Sequence, residues 1–159
     1  MTGVDVLLVR QQVVVDGSGA TVGFIRGAGP NIRVQDPEGE PLLRVEKPFL
    51  DEWYARAPDD WTILRIDRSL GKYHDITYAD GRTARVDGAP DAGAWELTDR
   101  ASGRLVVHAR AVGSQLTTPF QWMCSQDGSL SLRDFLATVV TYREVMKLRR
   151  QHVQAVGNL

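Results

Sequence analysis

Val13-Val14-Val15-Asp16-Gly17-Ser18-Gly19-Ala20-Thr21-Val22 joins two apolar runs through an Asp and a Gly. The phrase returns as Ile32-Arg33-Val34-Gln35-Asp36-Pro37-Glu38-Gly39-Glu40-Pro41-Leu42-Leu43, and in shorter form as Ile66-Asp67-Arg68-Ser69-Leu70-Gly71. Ile76-Thr77-Tyr78-Ala79-Asp80-Gly81 and Trp95-Glu96-Leu97-Thr98-Asp99-Arg100-Ala101-Ser102-Gly103-Arg104-Leu105 complete the set. Asp closes a tight turn by accepting hydrogen bonds from backbone amides just downstream, and Gly supplies the positive φ that hairpin turns need. A chain that repeats this pattern is an antiparallel meander.

The flanking segments extend the meander in both directions. Upstream, Val6 to Val15 is rich in β-branched residues and reads as strand, broken near Gln11 and Gln12. Thr21 to Ile25 is its return partner, and Ile32 to Gln35 pairs with Leu42 to Val45. Pro37 suits the second position of a turn, where φ is already about −65°, and Pro41 sits where a strand begins and a missing donor is tolerated. Pro48 to Asp60 lacks a regular pattern and reads as a connector with one helical turn. Further strands are expected at Trp61–Ile66, Tyr73–Tyr78, Thr83–Val86, Trp95–Thr98 and Arg104–Val112, with a last one at Leu116–Met123 interrupted by Pro119. Gly88 to Gly93 is a loop.

The spacing then becomes helical. Leu132, Phe135, Leu136, Val139, Val140 and Met146 recur at intervals of three and four, which predicts a helix over about residues 131–150. Ser131-Leu132-Arg133-Asp134 has the form of a capping box, with Leu130 and Phe135 placed as a hydrophobic staple. Arg149 and Arg150 would then lie at the negative end of the helix dipole. The expected architecture is mainly β: a closed antiparallel meander barrel of about ten to twelve strands, because closure is the usual way to remove exposed edges, followed by one C-terminal helix. That helix must bury its apolar stripe through the barrel or against one mouth. No linker separates two domains, so residues 1–159 read as one.

Composition bounds the function classes. A net charge of −1 gives no bulk signal for nucleic acid. The single cysteine, Cys124, forbids an internal disulfide and points to a reducing, cytoplasmic setting. The first ten residues show neither a basic segment before their apolar run nor room for a signal peptide, and no apolar run approaches the ~18 residues of a transmembrane segment.

Val34-Gln35-Asp36-Pro37-Glu38-Gly39-Glu40-Pro41-Leu42-Leu43-Arg44-Val45 and Leu97-Thr98-Asp99-Arg100-Ala101-Ser102-Gly103-Arg104-Leu105-Val106-Val107 resemble the tubby-like superfamily, in particular its bacterial LURP-one-related and phospholipid-scramblase-related branch. The resemblance runs from about Val6 to Leu148. It implies a closed twelve-stranded barrel with a hydrophobic helix threaded through it, and a non-enzymatic role: binding of lipid headgroups, membrane association or scaffolding. No residue matches that family's lipid-binding basic cluster, so no site residue is carried over from it. Two departures stand out. By this reading the chain is one or two strands short of twelve, and only Phe135 to Tyr142 of the helix is free of charge, about 12 Å of axis at 1.5 Å per residue.

Arg143, Lys147, Arg149 and Arg150, with Arg133 one face away, are the candidate ligand-binding residues. Each Lys or Arg near an anionic surface contributes about 1 kcal/mol, so four together suit peripheral binding to an anionic membrane or a small anion. The competing explanation is dipole compensation. A lipocalin-like barrel holding a hydrophobic ligand is the alternative, with Trp53, Trp61, Trp95 and Trp122 lining a cavity instead of packing a core. His74, His108 and His152 have no spacing that converges on a metal, and no cofactor fingerprint or nucleophile elbow occurs. Asp51-Glu52 and Asp59-Asp60 are adjacent pairs, whereas acid–base carboxylates face each other across a cleft. No catalytic residue is assigned.

Overall fold

The structure, a computed structural model, describes residues 5–27, 31–68, 73–87, 93–113 and 121–157. In chain order come β1 (Val6–Val9), β2 (Val13–Asp16), β3 (Thr21–Arg26), β4 (Arg33–Gln35), β5 (Pro41–Phe49) and β6 (Glu52–Arg56). They are followed by β7 (Thr62–Arg68), β8 (His74–Tyr78), β9 (Thr83–Asp87), β10 (Ala94–Asp99), β11 (Leu105–Ala111), β12 (Trp122–Gln126) and α1 (Leu132–Gly157). Each strand pairs antiparallel with its sequence neighbours, and β12 closes the ring on β1, with Leu7 opposite Cys124 and Val9 opposite Trp122. The twelve strands therefore form a closed up-and-down barrel without an edge.

Two hairpins supply the strands missing from the sequence reading. Val6 to Val15 is two strands: Arg10 N–H donates to Val13 O at 2.9 Å, and β1 and β2 pair with Leu8 opposite Val15. The stretch after Pro48 holds no helical turn. Strand β5 continues to Phe49, turns at Leu50 and Asp51, and returns as β6 with Phe49 opposite Glu52. Asp51 takes φ 64°, the left-handed position a glycine would normally fill. The turn expected at Ser69–Gly71, the loop from Gly88 and the segment around Pro119 lie wholly or largely outside the described residues.

Alternation along the strands sends Leu7, Val14, Val34, Leu43, Trp53, Leu64, Ile76, Val86, Trp95, Val107 and Trp122 inward. What they meet is α1. Every residue from Phe135 to Met146 is buried, about 18 Å of axis at about 1.5 Å per residue. A helix lying on a surface buries one stripe; burial on every face places this one in the lumen. Half of the expected capping box forms at its N-terminus: the Asp134 amide donates to Ser131 Oγ at 3.1 Å, while the Asp134 carboxylate accepts from Arg82 at 3.4 Å, and the staple residues Leu130 and Phe135 are both buried. Inside, Tyr78 Oη and Thr138 Oγ1 share a 2.7 Å hydrogen bond, and Thr138 Oγ1 also donates to the Asp134 carbonyl at 2.6 Å.

The helix departs from its expected limits in two ways. The buried span continues past Tyr142 through Arg143 and Glu144, which do not emerge at a mouth. The helix also runs on to Gly157, so Arg149 and Arg150 lie well before its C-terminal turn and do not compensate its dipole there.

Candidate functional site

An even-numbered meander with the helix leaving from β12 has two unlike mouths. The turns β2–β3, β4–β5, β6–β7, β8–β9 and β10–β11, with the segment leading into α1, form one end, here the turn end. The turns β1–β2, β3–β4, β5–β6 and β7–β8 surround the point where α1 emerges after Met146, the exit end.

Four of the five Asp-to-Gly phrases build the turn end; Asp67 of the fifth sits near the end of β7, at the other mouth. Asp16 Oδ1 accepts the amides of Ser18 at 2.9 Å and Ala20 at 3.1 Å, and Asp36 Oδ1 accepts those of Glu38 and Glu40, both at 2.9 Å. Asp99 accepts the Ser102 amide at 2.8 Å. A glycine with φ near 90° closes the turn at Gly19, Gly39 and Gly81, and a register shift follows in the ladder at Val14/Val15 and Val34/Gln35. This pairing of a left-handed residue with a bulge keeps the hairpin twist matched to the strands. Ionised turn carboxylates stay charged, and local hydrogen bonds hold Asp16, Asp80 and Asp99 below the usual carboxylate range. Asp16, Asp36, Glu38, Glu40, Asp59, Asp60, Asp80, Asp99 and Asp127 thus gather at one mouth, countered by Arg82, Arg100, Arg104 and Arg133.

The exit end has the opposite balance. Among the described residues, Arg10 in the β1–β2 turn, Arg26 and Arg33 at the ends of β3 and β4, and Arg68 at the end of β7 stand around the emerging Lys147, Arg149 and Arg150. Asp51, Glu52, Asp67 and Asp87 are described carboxylates at this rim; Glu52 lies opposite Phe49 and Asp67, Asp67 pairs with Arg65 at 2.8 Å, and Asp51 lies 3.9 Å from Arg68. The charges of Arg149, Arg68 and Asp51 all act on His74 at the start of β8, which places them around one mouth.

The four candidate residues do not share one surface. Arg143 is buried in the lumen, where its Nε donates to Glu144 at 3.1 Å and its Nη1 to the Arg10 carbonyl, fastening the helix to the β1–β2 turn. Burial pushes its pKa down, with Glu144 opposing. Lys147 is half-buried and reaches Glu144 at 3.5 Å, and burial lowers its pKa too. Arg149 and Arg150 are half-buried at the rim. Lys147, Arg149 and Arg150 remain at the mouth, and Arg143 is a lumen residue.

Sequence reasoning missed the most exposed apolar pair. Phe49 is 65% and Leu50 78% exposed, side by side at the tip of the β5–β6 hairpin on the exit end. Apolar residues at a tight turn, in a segment rich in Phe, Trp and Tyr, were the signal available.

The other candidates fall elsewhere. Trp53, Trp95 and Trp122 are core residues, whereas Trp61 is 47% exposed at the turn end, under the Arg133 guanidinium at 4.6 Å. It borders an open groove of about 530 Å³ with Tyr54, Asp60, Thr62, Arg65 and Thr77. His74 is buried against Tyr142, ring centroids 5.9 Å apart, and burial lowers its pKa to about 4. Burial drives the Cys124 thiol pKa upward, the reverse of an activated nucleophile. His108 is half-buried on β11, and the His152 side chain lies outside the described residues. Asp59 and Asp60 belong to the β6–β7 turn, where Asp60 pairs with Arg44. No cluster of metal-ligating side chains occurs among the described residues. No described helix is long and apolar enough to cross a membrane.

No family model and no curated protein matches the chain. Among solved structures it is similar to a protein from Arabidopsis thaliana determined by X-ray crystallography, with a TM-score of 0.62 and 15% identity over 92% of this chain and 94% of that one. At that identity the likeness is one of fold.

Proposed function

We propose that the protein is a non-enzymatic, cytoplasmic barrel of the tubby-like kind, related to the LURP-one and scramblase branch, that docks on anionic lipid headgroups through its exit end. The family reading is supported by three features it implies together: Asp-to-Gly turns, a ring of twelve strands and a helix buried within it. One observation carries the functional reading. The mouth where α1 emerges carries Arg10, Arg26, Arg33, Arg68, Lys147, Arg149 and Arg150 against Asp51, Glu52, Asp67 and Asp87, while the Asp turns at Asp16, Asp36, Asp80 and Asp99 lie at the other mouth. A net charge of −1 conceals this polarity. A field of this form orients the molecule as it approaches an anionic surface, and each cation near that surface contributes about 1 kcal/mol.

The lipocalin-like alternative has less support, because the volume a ligand would occupy is filled by Phe135 to Met146.

Co-sedimentation tests the reading. The protein should pellet with phosphatidylcholine vesicles containing one-third phosphatidylserine, and stay in solution with phosphatidylcholine alone. Raising salt from about 0.1 M to about 1 M shortens the screening length from about 10 Å to about 3 Å and should release it. Release by a soluble phosphate competitor at constant ionic strength would identify a discrete anion site instead of a surface. Equal binding to both vesicles, or none, would overturn the reading.

A further inference from the structure

The exit end carries more than charge. Phe49 and Leu50 are adjacent, large, apolar and the most exposed such residues among those described. Apolar side chains scattered singly over a surface need no explanation, but a contiguous pair on a projecting tip is different. The local chain is built to present them. The ladder slips between Glu46 and Phe49, and Pro48 lies in that slip, so the strand end leaves the inward-outward alternation that buries Leu43 and Val45. The tip is also held firmly. Lys47 Nζ donates to the Phe49 carbonyl at 3.3 Å, the Arg68 amide donates to the Asp51 carbonyl at 3.2 Å, and Asp51 adopts the left-handed turn. Ordering such a hairpin on binding therefore requires little further loss of chain entropy.

We propose that Phe49 and Leu50 form a wedge that enters the acyl region of an anionic bilayer while Lys47, Arg68 and the cations of the emerging helix meet the headgroups. This rests on the membrane-docking reading and adds the mode of attachment. A tip of two exposed apolar side chains flanked by Lys47 and Arg68, on the mouth that carries the helix cations, is complementary to an anionic bilayer, which offers negative charge outside and hydrocarbon a few ångströms deeper. A protein partner would need a matching pocket, and nothing in the tip selects one. Asp51 and Glu52 are the acidic members of the tip; Arg68 stands 3.9 Å from Asp51, and Glu52 accepts a hydrogen bond from Tyr54 Oη.

The test uses the full chain and the same one-third phosphatidylserine vesicles. F49S/L50S places polar residues at exposed positions, so thermal melting should be unchanged. Its partitioning onto vesicles should fall at least tenfold, and the binding that remains should be released by less salt. A second readout is an environment-sensitive fluorophore on L50C, selective because Cys124 is fully buried. Its emission should shift blue with vesicles and be quenched by brominated acyl chains. If the wild-type protein binds vesicles but F49S/L50S binds equally and the fluorophore stays in water, the wedge is wrong and the electrostatic reading survives. If the wild type does not bind, both fail. A blue shift that depends on protein concentration without vesicles would assign the tip to self-association and overturn the wedge.

Discussion

His74 illustrates how one buried side chain sets a pH response. It is 4% exposed, packed edge-on against Tyr142, and its Nδ1 lacks a hydrogen-bond partner. Burial is the main reason its pKa falls to about 4, and the nearby Arg149 and Arg68 add to it. The unfolded chain takes up the proton near pH 6.5, the folded one only near 4. Its contribution is therefore complete above about pH 6.5 and is lost as the pH falls toward 4, on the order of 1 kcal/mol per pH unit across that window. Urea denaturation at pH 7 and pH 5 should give a clear drop for the wild type and a much smaller one for H74L. Equal drops would assign the acid sensitivity to other groups. Arg143 shows how far single residues mislead. Its place in the sequence grouped it with Lys147, Arg149 and Arg150 at the basic end of the helix, but it lies in the lumen, where Glu144 and the Arg10 carbonyl answer two of its nitrogens.

At the scale of elements, the fit of helix to barrel depends on that internal pair. Lumen and helix match in length, about 17 Å for a five-residue strand against about 18 Å for the buried helical run. The match holds only if the charges within the run are neutralised. Removing one member of a buried pair costs about 3–5 kcal/mol, while replacing both by uncharged residues of similar volume is often neutral. E144A should therefore destabilise the protein by about that much, and R143M/E144Q should regain most of it, measured by chemical denaturation. A double variant no more stable than E144A would show that the pair does more than balance charge. Which elements were legible follows from turn chemistry. The Asp-to-Gly hairpins announce themselves because the carboxylate and the positive φ each demand a residue type. The β1–β2 and β5–β6 turns contain no glycine: Arg10 to Gln12 bridge one, Leu50 and Asp51 the other. Gln11 and Gln12 mark a break in the first run without specifying a reversal, and nothing at Leu50 and Asp51 signals one, so the second hairpin reads as a connector.

At the scale of the whole molecule, the proposed docking rests on an asymmetry that no local stretch contains. The turns at Asp16, Asp36, Asp80 and Asp99 alternate in the meander and so fall at one mouth, with Asp67 of the remaining phrase at the other. Arg10, Arg26, Arg68 and Lys147 are far apart in sequence, and only closure of the barrel gathers them around α1. The helix-borne candidates Lys147, Arg149 and Arg150 were legible because they are adjacent; the rim that completes the surface, and the Phe49–Leu50 tip, were not. The most direct measurement is hydrogen exchange of the native protein with and without one-third phosphatidylserine vesicles. The account predicts added protection at residues 47–52, at Arg68 and over 147–151, with none at the Asp36–Gly39 and Asp99–Gly103 turns. Added protection at the Asp turns, or vesicle binding without protection at the exit end, would contradict it.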